Sequence, residues 1–477
     1  MDKIKIPSMN IRSIIQRPTF NGISLPCFVF LATLIIGWNV LLTYLMIDKL
    51  NMNDFGKFFY SIVAYLQGGE MYGPNPGTFI VINPQFGQQF WNLNPPHFHL
   101  PLLPLGHMAP EIALTIWGIL NLIGLVASLH FIGKELHMTP TPRQSRVLFI
   151  GFLAFCGTGA FFLTGQLSFL LLFPITISWI QARNTQWAKA GLSLGLACAI
   201  KPFLLIFAPY FLIKKEYKAF ANLLFICIVS YITGILVLGQ EIYWQWIEKL
   251  RLVDWSWASM NASLHGLLSR IFQENPSFAL AFDSSNTVNF LWLALSGLIA
   301  TSTFFIIYKD QSKYSVDRAF ALLLISAILI SPLGWIYYLF FPLGPLTAII
   351  YQRGKTLQGT PLPAITYQVE ARNGLVAFAA VGFILPLQFT VLFQPAAWAT
   401  ITIGSIYCWC TLAVWATLLL DWHIETSTQT EPNYPEQKEF NSLSGSIPEM
   451  GLLSSILHRN SKQLDCQEAG SIERNAI

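Results

Sequence analysis

The stretch NMNDFGKFFYSIVAYLQGGEMYGP at residues 51–74 is followed by NLNPPHFHLPLLPLG at residues 92–106. Together they bring an acid, two histidines and a run of prolines between the first two apolar segments of the chain. After Asp54 the apolar residues recur at the spacing of a helix with one apolar face, and Gly68 and Gly69 end that helix. This pattern predicts an amphipathic helix that lies on a membrane surface rather than crossing it.

Asp54 is expected at the N-terminus of this helix. A carboxylate there faces the positive end of the helix dipole and can accept hydrogen bonds from free backbone amides. Two interpretations stay open: Asp54 caps the helix, or it is a catalytic acid.

The composition predicts a membrane protein. Of the 477 residues, 54% are hydrophobic and 11% are charged, and the mean hydropathy is +0.52. A soluble core could not enclose that much apolar surface. The net charge of +4 is spread over loops and indicates no nucleic-acid partner. The seven cysteines form no CxxC pair or metal-ligand spacing, which argues against a disulfide framework or structural zinc.

Apolar runs recur along the chain and predict an all-α bundle of about twelve transmembrane helices. The first run, 25–47, has no small-residue cleavage site after it, so we expect an uncleaved span. The further spans are expected near 110–132, 147–163, 167–181, 188–200, 202–213, 219–238, 288–308, 319–331, 335–351, 373–393 and 396–420.

The distribution of Lys and Arg over alternate loops predicts the orientation. With a cytoplasmic N-terminus, the inner segments before the tail carry 18 of these residues and the outer segments carry 6, which is the expected bias. This alternation requires 188–213 to be two short helices that turn at Lys201 and Pro202. Because each is too short to cross ~30 Å of hydrocarbon, we expect them to meet in a cavity below the outer surface.

The same topology divides the chain into three parts. They are a cytoplasmic segment at 1–24, a transmembrane domain at 25–420 with outer loops at 48–109 and 239–287, and a polar cytoplasmic tail at 421–477 that is expected to be disordered. Polar residues from distant parts of the sequence are then expected at one outer face. Lys201 is the one charge in a long apolar run, and such a group is costly unless it has a partner or a function. The alternative is a lysine at a helix end whose ammonium reaches the membrane surface.

The outer loop 239–287 is predicted to be a second interfacial element. The indole rings of its tryptophans prefer the level of the lipid headgroups, which favours a role in membrane anchoring for Trp244, Trp246, Trp255 and Trp257. The residues after them supply hydrogen-bond donors and a fixed cation suited to phosphate or sugar hydroxyls, namely Asn261, Ser263, His265 and Arg270.

These segments, in this order, resemble glycosyltransferases of the GT-C fold, and most closely glycosyltransferase family 87, which includes mannosyl- and arabinofuranosyltransferases of bacterial envelopes. The matching segments are NDFGKFFYSIVAYLQGGEMYG at 53–73, NPPHFHLPLLPL at 94–105, Gly165 and Gln166 before a leucine-rich run, GLSLGLACAIKP at 191–202, NASLHGLLSR at 261–270 and SPLGWIYYLFFPL at 331–343. His97 and His99 depart from the plainer apolar run that is common in the family.

The resemblance implies a membrane enzyme that moves a monosaccharide from a polyprenyl-phosphate donor to a hydroxyl group of a glycan or glycolipid. The sugar would be mannose or another hexose or pentose. The anomeric configuration would be inverted, and no cofactor would be needed besides the lipid-linked donor. Asp54 matches the family's aspartate in the first outer loop and would be the general base. Lys201 and Arg270 would stabilise the departing phosphate. Candidate sugar or phosphate contacts are His97, His99, Gln166, Asn261 and His265. The site would lie on the extracytoplasmic side of a bacterial inner membrane, and both termini would be cytoplasmic.

Other interpretations are weaker but stay open. A metal is not favoured, because metal-using relatives of this fold pair acids at short spacing, whereas Asp54 has only Glu70 nearby in sequence. A transporter or flippase of a lipid-linked glycan would also have about twelve spans and broken helices. A non-catalytic lipid-glycan binding or scaffold protein is the third class.

Overall fold

The computed structural model describes residues 30, 33–34, 36–37, 54–75, 79–83, 86–89, 91–275, 277–356, 366–386 and 396–430. Most of the predicted first span at 25–47, and the predicted tail from residue 431 onward, lie outside the described residues. Contacts divide the chain into two units, Met1–Thr426 and Ser427–Ile477.

The described chain is helical apart from one hairpin. The α-helices are α1 Asp54–Leu66, α2 Pro110–Glu135, α3 Pro142–Ala154, α4 Cys156–Thr164, α5 Ser168–Arg183, α6 Trp187–Ile200, α7 Phe207–Ile213, α8 Tyr217–Leu238, α9 Gln240–Arg251, α10 Leu264–Phe272, α11 Ser285–Lys309, α12 Ser315–Ile330, α13 Leu343–Thr356, α14 Thr366–Ile384, α15 Ala397–Ile401 and α16 Ile406–Thr430. The 3₁₀ helices are Pro96–His107, Pro202–Ile206, Ile336–Phe340 and Ile403–Ser405. The antiparallel strands β1 Phe79–Asn83 and β2 Phe86–Gln89 form the hairpin, which the all-α prediction did not include.

The helices coincide with the predicted apolar runs, but their number as membrane spans is smaller. Within the described ranges, four helical segments are long and apolar enough to cross a membrane: Pro110–Glu135, Tyr217–Leu238, Ser285–Lys309 and Ala397–Thr426. The bent pair α3 and α4 makes a fifth if it counts as one span, and α5 and α6 are apolar but shorter. The structure therefore supports a helical membrane protein but not a count of about twelve spans.

Local sequence sets the helix ends that matter for the site. Gly165 ends α4 in the left-handed conformation, with φ of 64°, which favours glycine, and it places Gln166 directly after the turn. Pro202 cannot donate a backbone hydrogen bond, so it favours the end of α6 at Ile200 and leaves Lys201 at the break.

The long helices run between two ends of a bundle. At the end that we call the far end, Arg183 pairs with Glu135 at 2.7 Å and with Asp317 at 3.0 Å, and Arg318 pairs with Asp310 at 2.5 Å. The opposite end, which we call the site end, carries the 3₁₀ helix Pro96–His107, the turn after α4, the break after α6 and the turn at 331–335. The predicted convergence of these distant segments at one end is therefore observed.

α1 packs within the protein. Phe55, Phe58 and Ile62 are each at most 4% exposed. Phe58 makes edge contacts with Phe98, at 5.2 Å between ring centroids, and with Trp117, at 5.9 Å. The apolar face that was predicted to meet a membrane surface is thus covered by the 3₁₀ helix Pro96–His107 and by α2.

Most of the predicted tryptophan anchors are also buried. The exposed fractions are 8% for Trp246, 2% for Trp255 and 5% for Trp257, whereas Trp244 is 57% exposed. Trp246 Nε1 donates to the carbonyl of Leu93 at 3.1 Å, which joins α9 to the loop before the 3₁₀ helix. The anchoring prediction is therefore wrong for three of the four residues, since their rings pack against protein.

Gly191 offers a test of how closely α6 and α8 must approach. A Cβ atom at Gly191 would overlap the backbone of Ala219, so we expect Gly191→Ala to push the helices apart and to destabilise the protein by about 1–3 kcal/mol. Gly118→Ala is the matched control, because a Cβ at Gly118 meets nothing within 4 Å. The apparent melting temperature in detergent should fall for the first variant only, and equal melting temperatures would contradict this packing.

Candidate active site

Asp54 is held by side chains from two elements. Lys57, one turn later on α1, donates to Oδ1 at 2.6 Å. Gln166, in the turn after α4, donates through Nε2 to Oδ2, and the Tyr337 hydroxyl lies next to that amide, within electrostatic reach of the carboxylate. A carboxylate offers about four lone-pair positions, so positions remain for a further donor. The side chain keeps 18% exposure, which gives a ligand access to it.

Gln166 fixes the direction of this carboxylate. Its Nε2 also donates to the Tyr337 hydroxyl at 3.0 Å, and its Oε1 accepts from the backbone N–H of Leu167 at 3.2 Å. Gln166 is 4% exposed. Because both ends of the amide are engaged, Gln166 orients Asp54 rather than offering a free amide to a ligand.

Lys201 lies at the break after α6, outside the candidate membrane spans. Its Nζ donates to Asn94 Oδ1 at 2.7 Å and lies 5.5 Å from the centroid of the Tyr338 ring. Burial lowers the pKa of Lys201 to about 8, the negative charge of Asp54 opposes that shift, and the positive charge of Lys57 adds to it. Lys201 and Asp54 therefore interact electrostatically and belong to one site.

The two predicted histidine ligands are buried and already bonded. His97 Nε2 lies 2.9 Å from the carbonyl of Ala199 and its Nδ1 lies 3.1 Å from the Tyr243 hydroxyl. His99 Nε2 lies 2.8 Å from Asn92 Nδ2. Burial lowers the pKa of both histidines, to about 4 for His99. Both rings are therefore neutral near pH 7, and their contacts are with groups that support the site.

Arg270 lies on α10, in a cluster next to the site. Its fully buried guanidinium donates through Nε to Ser405 Oγ at 3.0 Å, and through Nη1 to the carbonyls of Ala258 at 2.9 Å and Asn261 at 3.1 Å. Nη2 is buried and has no partner in the part of the chain that the structure describes. These contacts hold the loop before α10 and do not bring Arg270 to Asp54.

Asn261 ties that loop to the turn at 331–335. Its Nδ2 donates to the carbonyls of Ser256 and Pro332, both at 2.8 Å. Its Oδ1 accepts from the backbone N–H groups of Ser263 at 3.1 Å and Gly334 at 3.0 Å. With all four bonds made and 0% exposure, Asn261 holds the backbone that leads to Tyr337.

His265, also on α10, is part of the same cluster. Its Nδ1 lies 3.3 Å from Ser269 Oγ and its ring packs edge-on against Trp292. Burial lowers its pKa, and a hydrogen bond with Asn289 opposes that shift. The structure thus brings Asp54, Gln166 and Lys201 together, whereas the hydrogen bonds of Asn261, His265 and Arg270 are with other groups.

Sequence reasoning missed the side chains that complete the site: Lys57, Asn92, Asn94, Tyr337 and Tyr338. All of them lie in segments that were singled out, or directly beside one. Lys57 could have been found, because a basic residue three positions after an acid lies on the same helix face. For the asparagines and tyrosines, no sequence pattern indicates which of their neighbours they meet.

In the described ranges, no three His, Cys, Asp or Glu side chains are grouped to hold a metal ion. The Asp54 carboxylate is instead surrounded by hydrogen-bond donors. Independence from a metal nevertheless stays a prediction.

A bundle of apolar helices that gathers a carboxylate, an amide and a lysine at one end defines an integral membrane protein with a polar site. The family model of glycosyltransferase family 87 matches residues 92–332, about half of the chain. The chain belongs to this family. The match includes Gln166 and Lys201 but begins after Asp54.

Two curated relatives are similar to this chain. The polyprenol-phosphate-mannose-dependent alpha-(1-2)-phosphatidylinositol mannoside mannosyltransferase of Mycolicibacterium smegmatis is 25% identical over 208 residues, which are 42% of this chain and 46% of the relative. The protein of the same name from Mycobacterium tuberculosis is 21% identical over 292 residues, 58% of this chain and 64% of the relative. The chain thus covers less than two thirds of either relative. No solved structure matches it.

Asn261→Ala tests whether this residue is structural. The substitution leaves two backbone N–H groups and two carbonyls without their partner, so the protein should lose about 2–4 kcal/mol of stability. Asn184→Ala at the far end removes exposed hydrogen bonds and should change stability by less than about 0.5 kcal/mol. Melting curves in detergent compare the two, and an Asn261 variant of unchanged stability would point to a ligand role instead.

Proposed function

We propose that this chain transfers a monosaccharide from a polyprenyl-phosphate donor to a hydroxyl acceptor, with Asp54 as general base. The observation that carries the proposal is a carboxylate oriented by Lys57 and Gln166 in the electrostatic reach of Lys201. Family membership supports the reaction class. The names of the curated relatives make mannose the first donor sugar to test and a phosphatidylinositol mannoside the first acceptor.

The contacts of Asp54 favour a single displacement and therefore inversion. A double displacement on a sugar uses two carboxyl groups about 5 Å apart, one of them the nucleophile. The hydrogen-bond partners of the Asp54 carboxylate are an ammonium and an amide, which are donors rather than a second acid. In the proposed step the acceptor oxygen attacks the anomeric carbon, its proton passes to Asp54, and the bond from that carbon to the phosphate oxygen breaks.

Lys201 is the group suited to the departing polyprenyl phosphate. An ammonium has three N–H donors, and one of them is used by Asn94. The other two can meet phosphate oxygens as negative charge leaves the sugar. The phosphate is a weak base, so the step needs no strong acid at this position. Arg270, with its buried Nη2, stays a candidate for a more distant electrostatic contribution.

The distribution of charge between the two ends supports an extracytoplasmic site. The far end and its loops carry most of the Lys and Arg residues, including Arg183, Lys214 and Arg318, and basic loops favour the cytoplasm. The site end would then face the exterior of a bacterial inner membrane, with the 1–24 and 421–477 segments cytoplasmic. A lipid-glycan transporter would place its binding site near the bilayer midplane, whereas these polar groups lie at one end of the bundle.

Asp54→Asn tests the general base. The amide cannot accept the acceptor proton, so turnover with a polyprenyl-phosphate-mannose donor should fall by about 10²–10⁴-fold. Binding of undecaprenyl phosphate should persist, because removal of a negative charge does not repel an anion. Glu70→Gln is the matched control, since Glu70 is an exposed acid in the same segment and should leave turnover unchanged. Wild-type turnover in the Asp54 variant would overturn the mechanism.

The Lys201 pKa predicts how lipid-phosphate binding depends on pH. Its pKa of about 8 means that the ammonium dominates below pH 8 and is lost as the pH rises above it. Affinity for undecaprenyl phosphate should therefore fall above pH 8, by up to about tenfold per pH unit. Lys201→Arg stays charged, so its affinity should stay level over the same range. The same decline in both proteins would assign the effect to another group.

A further inference from the structure

A chain of hydrogen bonds leads from Lys201 into the protein. Lys201 Nζ donates to Asn94 Oδ1 at 2.7 Å. Asn92 Oδ1 accepts from both the backbone N–H of Asn94, at 3.1 Å, and Asn94 Nδ2, at 3.3 Å. Asn92 Nδ2 reaches Ser61 Oγ at 3.0 Å and His99 Nε2 at 2.8 Å. Both asparagines and His99 are at most 4% exposed, so water does not replace these bonds.

The direction of every bond in this chain is fixed by groups that can only donate. The Lys201 ammonium can donate hydrogen bonds but cannot accept them, so the oxygen of Asn94 must face it. The backbone N–H of Asn94 cannot be reversed, so the oxygen of Asn92 must face Asn94. The nitrogen of Asn92 therefore points to His99. It follows that His99 accepts at Nε2 and carries its proton on Nδ1, which lies 3.3 Å from the carbonyl of Pro96.

We propose that His99 is a positioning residue for phosphate binding, acting through Asn92 and Asn94 to hold the Lys201 ammonium toward the lipid phosphate. This inference rests on the proposed function of Lys201. It replaces a direct ligand role for His99, whose two ring nitrogens are both engaged within the protein.

Buried amides keep a fixed orientation only when every donor and acceptor in the chain has a hydrogen-bond partner. Loss of the acceptor at His99 leaves one N–H of Asn92 Nδ2 without its partner, and the asparagine side chains can then rotate. Asn94 would no longer hold its oxygen at the ammonium. Lys201 would still be present and charged, but it would no longer be preorganised for the anion.

Two substitutions at His99 separate this role from the others. A Gln oxygen lies as many bonds from Cα as His Nε2, so His99→Gln restores the acceptor for Asn92. An Asn amide lies as many bonds from Cα as Nδ1, so His99→Asn can donate to Pro96 but cannot reach Asn92. If His99 only supports the backbone at Pro96, His99→Asn should keep the wild-type affinity for undecaprenyl phosphate. If His99 is a direct phosphate ligand, neither substitution should keep that affinity.

The measurement is the affinity of the purified full-length variants for undecaprenyl phosphate, a readout that needs no sugar transfer. Loss of one oriented hydrogen bond should weaken binding about tenfold in His99→Asn, and Asn94→Ala should show at least the same loss. His99→Gln should stay within about threefold of wild type. In transfer assays the weakened variants should raise KM for the donor more than they lower kcat.

Folding and the proposed function are controlled separately. Affinities are measured on the monodisperse fraction after size exclusion, and if His99→Asn yields no folded protein then Asn94→Ala carries the test. Wild-type affinity in both His99→Asn and Asn94→Ala, or equal loss in the two His99 variants, overturns the positioning role alone. Absence of undecaprenyl phosphate binding by the wild-type protein overturns the proposed function together with it.

Discussion

The partial burial of Lys201 is the constraint on which the site depends. An ammonium in an apolar bundle is stable only where hydrogen bonds and opposite charge replace its hydration. Asn94 supplies the hydrogen bond and Asp54 supplies the opposing field. Both groups can reach Lys201 because α6 ends at Ile200, before Pro202, and because the segment before the 3₁₀ helix Pro96–His107 folds against α1. The break in α6 and the placement of Asp54 are thus parts of one arrangement.

Cations at the two ends of the bundle differ in the charge of their hydrogen-bond partners, with the exception of Lys57 at the site end, which pairs with Asp54. At the far end, Arg318 is neutralised by the carboxylates of Asp310 and Glu425. At the site end, the direct hydrogen-bond partners of Lys201 and Arg270 are neutral oxygens. A cation bound to neutral dipoles keeps its attraction for an anion, whereas a cation in a close ion pair loses most of it. The paired cations Arg318 and Lys57 are therefore suited to hold protein segments in place, and Lys201 is suited to receive a negatively charged ligand.

Hydropathy and loop charges located the helices and the convergence of Asp54, Gln166 and Lys201, because both signals depend on local sequence. They could not tell lipid from protein interior, since each is an apolar environment. That is why α1 and Trp255 were assigned to a membrane surface although protein covers them. Hydrogen-bond partners such as Asn94 and Tyr337 depend on the relative placement of distant segments, and no local pattern in a single sequence indicates that placement.

The family match covers only some of the residues to which the mechanism gives a role, and the roles of the others rest on contacts in the structure. Residues 92–332 include Asn94, Gln166 and Lys201, so the groups assigned to the donor phosphate belong to the part shared with the family. Asp54 precedes that range and Tyr337 follows it. The hydrogen bonds of Gln166 to both are therefore the link between the shared part and the proposed base. A turn that ends α4 at a left-handed glycine fixes where that amide begins, so the position of the carboxylate follows from the end of a helix more than a hundred residues away in sequence.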